Sequence, residues 1–496
     1  MRFTVFFAVF IFSVFSADRI PTESLYEATD MVPVKIQRKH LDSLREFSRA
    51  EGFKDPVYTF RIKNTAVVLV QKSSLSKLDS EGIPYQKSQS YSPFRYYDPT
   101  YSERFRKGFA ELSDLKTGYK DHKLNEIYLR SLARAFPEEV TYFEIGKTRL
   151  GRPIPAIRIT SNNGDESKPS VLFNGAHHSN ELIGTEHCYD IIFHLLNEKN
   201  HYKKYLDRMN IWFIPIVNPD GSWLFWYKSF AMGRKNGYLA PSHKETDIRR
   251  GVDINRNYPF KWNSGHPTAS SGDINHPFYR GSSPASEPET KAMMEIAESE
   301  RFLLSMSFHS FAGKILFPYS IEDTVNPIPD YPGGLAKRLV SVARSFSGRN
   351  YQAVKNLYPV DGTDQDYFFN KHGTVALLTE STHRNIEFAN VEKVLSGFRP
   401  VWKKFLEEYF TANKLILRIT DREKEPVEAQ ITIDELEFYE GEELRNNPEN
   451  GYFHRLMPDD REYTVRIKNV NFQEELVRVR AKKDFTPVSV ILKKKK

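Results

Sequence analysis

The residues with the clearest capacity for chemistry are His178 and Glu181, three positions apart in the segment 170–198. An apolar, strand-like run precedes them and an apolar pattern at helical spacing follows, so both are predicted on the turn between a strand and a helix. Such turns bring side chains of a rigid scaffold together at a cleft. A histidine and a nearby carboxylate, joined by a histidine from elsewhere, can build a zinc site with an open position for water. His177 is a rival ligand, because it also lies within reach of Glu181.

Four further segments offer polar residues that would suit such a site. They are the loop 252–257, the strand end at His309, the segment from Tyr358 to Gln365 and the strand end at Glu380. Each residue taken alone has an ordinary explanation: Glu380 as a strand terminus, Arg256 as a loop cap, and His309 as a core histidine. Tyr358 alone would more often be a packing tyrosine. Their joint occurrence makes these separate explanations improbable.

In this order, the segments resemble the zinc carboxypeptidases of the funnelin group, and the resemblance covers about residues 118–410. It implies an α/β fold with a mixed eight-stranded sheet covered by helices. Apolar strands predicted over 211–217, 302–308 and 374–379 suit a sheet that is covered on both faces. The resemblance also implies one Zn²⁺ per chain and removal of single C-terminal residues from peptides or proteins with a free terminal carboxylate.

The resemblance assigns roles to individual residues. The residues that match the zinc ligands are His178, Glu181 and His309. This match makes His177 the less suitable ligand. Glu380 matches the general base, and Arg234 matches the arginine that polarises the scissile carbonyl. The residues that match the substrate-binding groups are Asn255, Arg256, Tyr358, Gln365 and Ser320.

Peptide hydrolysis at such a site needs these residue types for physical reasons. Zinc lowers the pKa of a bound water from about 15.7 to about 7, which provides a nucleophile at neutral pH. A carboxylate can take the proton of that water and pass it to the leaving amine. An arginine beside the developing oxyanion supplies preorganised electrostatic stabilisation. A second arginine can bind a planar carboxylate through two parallel hydrogen bonds, which lysine cannot, and so selects the chain end.

Two branches of this family differ in their accompanying domains, and the chain is predicted to have both kinds. One branch has an N-terminal pro-segment of β-α-β-β-α-β plan, here with a first helix predicted over 41–50; the other has a C-terminal transthyretin-like module. Ser320 stands where the second branch usually places an aspartate that pairs with a basic C-terminal residue. Glu322 and Asp323 lie close by and could substitute, so a basic preference and a neutral pocket both stay open.

Sequence patterns divide the chain into five parts. These are a signal peptide 1–17, a ferredoxin-like pro-segment domain 18–87, a linker 88–115, a catalytic domain 116–412 and a small all-β sandwich 413–496. The apolar run after Arg2 is typical of an export signal and is too short for a bilayer, which needs about 20 residues. Arg104, Arg106 and Lys107 in the linker would be open to proteases, which predicts a zymogen.

Composition excludes several classes of protein. A hydrophobic content of 40% with 14% aromatic residues fits globular domains rather than disorder. The net charge of +7 comes without a stripe of basic residues interleaved with aromatics, so no nucleic-acid partner is expected. Cys188 is the only cysteine, so no intramolecular disulfide can form. We expect an exported, soluble monomer, secreted or periplasmic, without a membrane span.

Two alternative functions stay open. The same zinc and glutamate could hydrolyse an amide in a non-protein or peptidoglycan-type substrate. A catalytically inactive relative could instead serve as a binding module, although the ligands, the base and the carboxylate-binding residues are all present. The terminal lysine run 493–496 is expected to be a solvated tail, with binding to an anionic surface as the alternative.

Overall fold

The computed structural model describes most of the chain from residue 31 onwards. The described residues are 31–40, 60–62, 65–71, 75–87, 109, 111–162, 164–227, 233–237, 250–310, 312–346, 348–355, 357–382 and 385–495. Their strands form one eight-stranded sheet, one four-stranded sheet and two three-stranded sheets. The predicted signal peptide, the predicted helix 41–50 and most of the predicted linker lie outside the described residues.

The four-stranded sheet belongs to the N-terminal part of the chain. Its elements are β1 (Met31–Gln37), β2 (Phe60–Ile62), β3 (Thr65–Gln71), α1 (Leu75–Ser80) and β4 (Tyr85–Lys87). The strand order is β2-β3-β1-β4 with antiparallel neighbours. Val34 and Ile36 alternate along β1 and pack with Leu78 of α1 and with Ile83. This arrangement agrees with a β-α-β-β-α-β plan, and the assignment as a pro-segment stays a prediction.

The eight-stranded sheet forms the centre of the molecule. Its strands are β5 (Val140–Lys147), β6 (Pro153–Ile159), β7 (Ser170–Gly175), β8 (Asn210–Ile214), β9 (Leu304–His309), β10 (Lys314–Leu316), β11 (Gln352–Val354) and β12 (Val375–Glu380). They lie in the order β11-β10-β12-β9-β7-β8-β6-β5. The four central strands β12, β9, β7 and β8 are parallel, whereas β5, β6 and the β10–β12 pair run antiparallel.

Helices cover both faces of this sheet. They are α2 (His122–Ala135), α3 (Ile183–Asn197), α4 (Lys199–Leu206), α5 (Pro219–Tyr227), α6 (Pro288–Glu300), α7 (Tyr331–Val340), α8 (Asp364–His372) and α9 (Val391–Thr411). Successive side chains of a strand point to opposite faces. Phe173 accordingly packs in the cluster with α2, α3 and α9, whereas Leu172 packs in the cluster with α6 and α8. The predicted mixed sheet covered by helices is therefore confirmed.

The predicted strand 211–217 is too long. The strand β8 ends at Ile214, and Pro219 begins α5, where the sequence pattern predicted no helix. Proline is favoured in the first turn of a helix because its missing N–H has no partner there anyway. The side-chain oxygen of Asn218 accepts a hydrogen bond from the Gly221 amide at 2.7 Å, which caps the helix.

The C-terminal β-module, residues 413–495, follows α9 directly. Its strands are β13 (Asn413–Thr420), β14 (Gln430–Ile433), β15 (Tyr452–Met457), β16 (Glu462–Lys468), β17 (Glu475–Arg480) and β18 (Val488–Ile491). They form two sheets, β15-β13-β18 and β14-β16-β17, around an apolar cluster of their own. Strand β15 was missed because His454 and Arg455 interrupt its apolar alternation. In the described part of the chain, no helix is long and apolar enough to cross a membrane.

Candidate active site

The candidate site lies at the carboxyl edge of the parallel strands, where a polar side chain follows each of three strand ends. His309 ends β9 and is the register partner of Glu380, which ends β12. His178 and Glu181 follow the end of β7 on the turn before α3. Gly184 lets this turn approach β9, because a Cβ there would lie 2.5 Å from the Phe308 carbonyl oxygen. The carboxyl ends of parallel strands meet at one edge, so residues distant in sequence converge.

Three of these side chains can hold a metal ion. His178, Glu181 and His309 are buried, and one ligand atom from each lies within 4.8 Å of the others. The carboxylate of Glu181 is in the middle. Its Oε1 lies 3.0 Å from Nδ1 of His178, and its Oε2 lies 3.1 Å from Nδ1 of His309. Two imidazole nitrogens and a carboxylate form a donor set that zinc commonly takes.

Asp253 orients His178 toward this centre. Its Oδ1 lies 3.0 Å from Nε2 of His178, and its Oδ2 accepts a hydrogen bond of 2.6 Å from Arg234. A proton on Nε2 leaves the lone pair of Nδ1 facing Glu181, which is the orientation that a metal-binding imidazole needs. Burial opposes the charge of Asp253, but Arg234 and His178 hold its pKa well below the usual range. The sequence contained this residue two positions before Asn255, yet no role was assigned to it.

Glu181 is also held in its charged form. Burial alone would raise the pKa of Glu181, but His178 and His309 lower this pKa below its ordinary value. The amide of Ser310 donates a further hydrogen bond of 3.1 Å to its Oε2. A charged carboxylate between two imidazoles is the state that binding of a divalent cation requires.

His177, the rival ligand, points elsewhere. Its Nε2 lies 2.9 Å from the hydroxyl of Tyr258, and its ring stacks on His309 with centroids 5.7 Å apart. Burial lowers the pKa of His177 to about 4. It is therefore a neutral histidine packed behind the centre and is not one of the converging ligand groups.

Glu380 stands beside the three ligand candidates with an unsatisfied carboxylate. Its Oε2 is buried and has no hydrogen-bond partner among the described residues. Burial, together with the negative charge of Glu181, raises the pKa of Glu380 to about 8. A carboxylate in such surroundings readily accepts a proton, as a general base must.

Arg256 carries a charge that no carboxylate neutralises within the described residues. Its Nε donates to the Ala269 carbonyl at 3.1 Å and its Nη1 to the Asn255 carbonyl at 2.7 Å. Its Nη2 lies 3.4 Å from the hydroxyl of Tyr358. These acceptors are all neutral, so they fix the guanidinium in place and leave its positive charge available to an anionic ligand.

All ten residues that the sequence marked for the site line one cavity of about 320 Å³. They are His178, Glu181, Arg234, Asn255, Arg256, His309, Ser320, Tyr358, Gln365 and Glu380. The structure thus brings the candidate ligands, the candidate base and the candidate carboxylate-binding residues together. Their individual roles stay predictions.

The side of the cavity formed by Ser320 and Gln365 is neutral. Gln365 Nε2 donates to Ser320 Oγ at 2.7 Å, and the Ser320 amide donates to Asp366 at 2.8 Å. Asp366 itself is buried, and burial raises its pKa to about 7. Glu322 and Asp323, the proposed substitutes for the missing aspartate, are not among the lining residues. Of the described residues around the cavity, only Glu181 and Glu380 are acids, and both lie beside the metal-binding group.

Comparisons with known proteins agree with this geometry. Residues 126–408 match the sequence profile of the family described as "Zinc carboxypeptidase". Metallocarboxypeptidase A of Trichophyton tonsurans is 30% identical over 276 residues, which cover 53% of this chain and 64% of that protein. Mast cell carboxypeptidase A of Homo sapiens is 24% identical over 344 residues, which cover 67% of this chain and 80% of that protein.

Solved structures show the same fold. Carboxypeptidase A from Helicoverpa armigera superposes with a TM-score of 0.56 at 21% identity, covering 76% of this chain and 96% of that structure. Thrombin-activatable fibrinolysis inhibitor superposes with a TM-score of 0.57 at 16% identity, covering 76% of this chain and 98% of that structure. The fold and the site define a metallopeptidase-like α/β protein. The chain belongs to the zinc carboxypeptidase family, since the profile matches more than half of its residues. The chain spans 64% of the length of the first curated relatives that it matches.

Proposed function

We propose that this protein is a zinc-dependent metallocarboxypeptidase that removes single C-terminal residues from peptides or proteins. One observation carries the proposal: Arg256, a guanidinium without a carboxylate partner in the described structure, lines the same cavity as the metal-binding group and Glu380. An enzyme that cleaves internal bonds has no need for a fixed cation at the end of its substrate cavity. An enzyme that recognises a free chain end does.

In the proposed reaction, each side chain has a separate task. Arg256, with Asn255 and Tyr358, binds the terminal carboxylate of the peptide. The zinc ion held by His178, Glu181 and His309 would polarise the scissile carbonyl and activate the attacking water. Glu380 accepts the proton of that water and donates it to the nitrogen of the leaving amino acid as the C–N bond breaks.

Arg234 completes the proposed arrangement. Its guanidinium is anchored to Asp253 and lies over the ring of Phe278, 4.8 Å from the ring centroid. In this position it can stabilise the negative charge that develops on the carbonyl oxygen. Because Asp253 contacts both Arg234 and His178, it connects the oxyanion-stabilising group with the metal-binding group.

The decisive experiment uses peptides that differ only at the C-terminus. We expect the protein to release single residues from peptides with a free carboxylate, with activity abolished by a chelator and restored by zinc. The matched substrate has a C-terminal amide, which lacks the charge that Arg256 would bind. The matched variant is Glu380→Gln, which keeps the cavity and removes the base. Internal cleavage, or equal rates on the amidated peptide, would contradict the proposal.

We also propose that the preferred C-terminal residue is neutral. Ala312, Leu316, Val360 and Leu378 also line the cavity, and among the described lining residues no acid other than Glu181 and Glu380 could pair with lysine or arginine. Peptides ending in leucine or glutamine should be cleaved faster than matched peptides ending in lysine. Ser320→Asp should improve cleavage after lysine, whereas the control Ser320→Ala should not. Faster cleavage after lysine by the unmodified protein would contradict this preference.

Export and zymogen activation remain proposals from the sequence. The signal-like segment 1–17 and the basic sites Arg104, Arg106 and Lys107 support them. A truncated form beginning near Leu115 should be more active than the full chain. Equal activity of the two forms would rule out inhibition by the N-terminal segment.

Amide hydrolysis of a peptidoglycan-type substrate is the second candidate function. The metal-binding group and Glu380 could perform it, and Arg256 requires only a free carboxylate in the substrate. Comparing an ordinary peptide with a peptidoglycan-type peptide of equal length separates the two. Release from only the latter would favour this candidate.

A further inference from the structure

A second cavity lies at the amino edge of the parallel strands, opposite the carboxyl edge that carries the candidate active site, where the β-module packs against the family-matched region. We call it the seam cavity. The residues that line it are Lys168, Pro169, Glu300, Arg301, Phe302, Leu303, His372, Gly373, Arg445, Asn447, Asn450, Tyr452, Phe453, His454 and Arg455. Its volume is about 30 Å³. A cavity needs about 10–15 Å³ to hold one water, so the seam cavity has room for a water molecule or a small ion but not for a larger ligand.

Unsatisfied nitrogen atoms are concentrated around the seam cavity. Nε of Arg301, Nε of Arg455, Nε2 of His372 and both ring nitrogens of His454 are buried and have no hydrogen-bond partner in the described part of the chain. Arg301 Nη1 donates to His372 Nδ1 at 2.8 Å, so the proton of His372 is on Nε2. No side-chain oxygen of the lining residues is left unsatisfied in the same way. Burial lowers the pKa of His454 to about 4, so its ring is neutral and one of its nitrogens is an acceptor. The other unsatisfied groups are donors, and each would cost about 1–3 kcal/mol if it stayed unsatisfied.

The cations around this cavity differ in how their charge is neutralised. Arg301 donates to Glu298 at 2.6 Å and to Glu428 at 2.8 Å, and Arg445 lies 3.4 Å from Glu443. Lys168 donates to backbone carbonyl oxygens, among them that of Leu206 at 3.1 Å. The side chain of Arg455 has no salt bridge within the described residues; its Nε has no hydrogen-bond partner there, and its guanidinium lies 5.7 Å from the ring centroid of Phe438.

The guanidinium of Arg455 nevertheless stays in the seam. Burial lowers the pKa of Arg455 to about 10, so it is still charged near neutral pH. Arg455 is half-buried, and the negative charge of Glu442 offsets only part of the effect of burial on its pKa. Gly373 allows the close approach, because a Cβ at this residue would lie 2.8 Å from Arg455 Nη1. A side chain here would displace the guanidinium from the end of α8.

We propose that the seam cavity binds a monovalent anion of about the size of chloride. Such an ion accepts hydrogen bonds from Arg301, His372 and Arg455 and neutralises the charge of Arg455. A water molecule is less suitable, because it carries no charge and would leave the guanidinium of Arg455 without a counter-ion. Because Arg455 belongs to the β-module while Arg301 and His372 belong to the family-matched region, the bound ion ties the two together.

The first test measures thermal unfolding of the full chain in sodium chloride and in sodium gluconate at equal ionic strength and neutral pH. Gluconate is too large for the cavity. We expect chloride to raise the melting temperature by ~2–4 °C with saturable dependence on its concentration. Arg455→Gln should lose this response. The matched control is Arg466→Gln, because Arg466 is an exposed β-module arginine paired with Asp434 at 2.7 Å, and this variant should keep it. An equal chloride response in Arg455→Gln and in the unmodified chain would overturn the proposal.

The second test uses crystals of the unmodified chain grown or soaked in sodium bromide, so it does not depend on whether Arg455→Gln folds. An anomalous peak within hydrogen-bond distance of Arg455 and His372 is the expected result. A cavity that contains only water under these conditions would overturn the proposal. Neither test measures peptide hydrolysis, so failure of the anion proposal would not affect the proposed carboxypeptidase function.

Discussion

Arg256 and Arg455 are two arginines without a carboxylate partner among the described residues, and they lie at opposite edges of the same sheet. Arg256 lines a cavity of about 320 Å³, and neutral acceptors hold its fork in place. Arg455 lines a cavity of about 30 Å³, and its Nε has no hydrogen-bond acceptor in the described structure. The two arginines therefore differ in how their side chains are held. Arg256 is preorganised for a substrate that binds and dissociates, whereas Arg455 is proposed to need a permanently bound anion.

The two edges also differ in what surrounds the cations. At the carboxyl edge, Glu181, Asp253 and Glu380 lie among the basic groups, so charge is distributed for binding a metal and moving a proton. At the amino edge, the lining residues of the seam cavity include a single acid, Glu300, which accepts from Trp212 at 3.0 Å. The mixed charges at the carboxyl edge suit metal binding and proton transfer. The unsatisfied donors at the amino edge suit a bound anion that stabilises the structure.

The largest expected effect comes from removing a metal ligand. In His309→Ala, zinc content should fall from one ion per chain to near zero and peptidase activity to the assay background, because two of three donors remain. Metal analysis and peptide hydrolysis measure the two quantities. The chloride-dependent shift in melting temperature should be retained, since the seam cavity lies at the other edge. Loss of both responses would show that the two edges are not independent.

Replacement of the proposed base comes next. Glu380→Gln should lower kcat by about 10²–10⁴-fold while zinc content is retained, because only proton transfer is lost. Steady-state kinetics and metal analysis on the same sample check this. Full activity of this variant would show that a group other than Glu380 acts as the general base.

The comparison of the two arginines is tested directly by replacing each with lysine. Arg256→Lys should lower kcat/KM for peptides with a free carboxylate by about 10–100-fold, since the second hydrogen bond to the carboxylate is lost. Cleavage of amidated peptides should not change. Arg455→Lys should leave kcat/KM unaltered and weaken only the response to chloride. Loss of the chloride response in Arg256→Lys together with a lower kcat/KM in Arg455→Lys would contradict both assignments.

The last prediction concerns the pH dependence of stability, which Asp366 beneath Ser320 should set in part. Its pKa is raised to about 7, so between about pH 4 and pH 7 the folded chain keeps a proton that the unfolded chain releases. Stability should therefore fall as the pH rises through this range, by up to about 4 kcal/mol for a shift of about three units. Asp366→Asn should lack this part of the pH dependence. Denaturant unfolding at pH 5 and at pH 8 measures the difference, and identical profiles would show that Asp366 is charged in the folded state.

Most of the candidate site could be predicted because its residues follow local signals. His309 and Glu380 each end an apolar strand, and His178 and Glu181 lie on a turn between a strand and a helix. Strand ends are encoded locally by apolar runs and by the residues that interrupt them. The α5 helix was missed because its local signal is ambiguous: Asn218 and Pro219 favour a turn and a helix start alike.

The sequence by itself determined which residue types are present, that His309 and Glu380 follow apolar strands, and which family the chain resembles. Only the tertiary structure decided that ten scattered residues share one cavity, that Asp253 contacts both His178 and Arg234, and that Arg455, His372 and Arg301 line a second cavity. The physical reason is that strand order and the packing of the β-module come from long-range burial of apolar faces. The local sequence around Arg455 or Arg301 does not indicate which distant side chains will line the same cavity after folding.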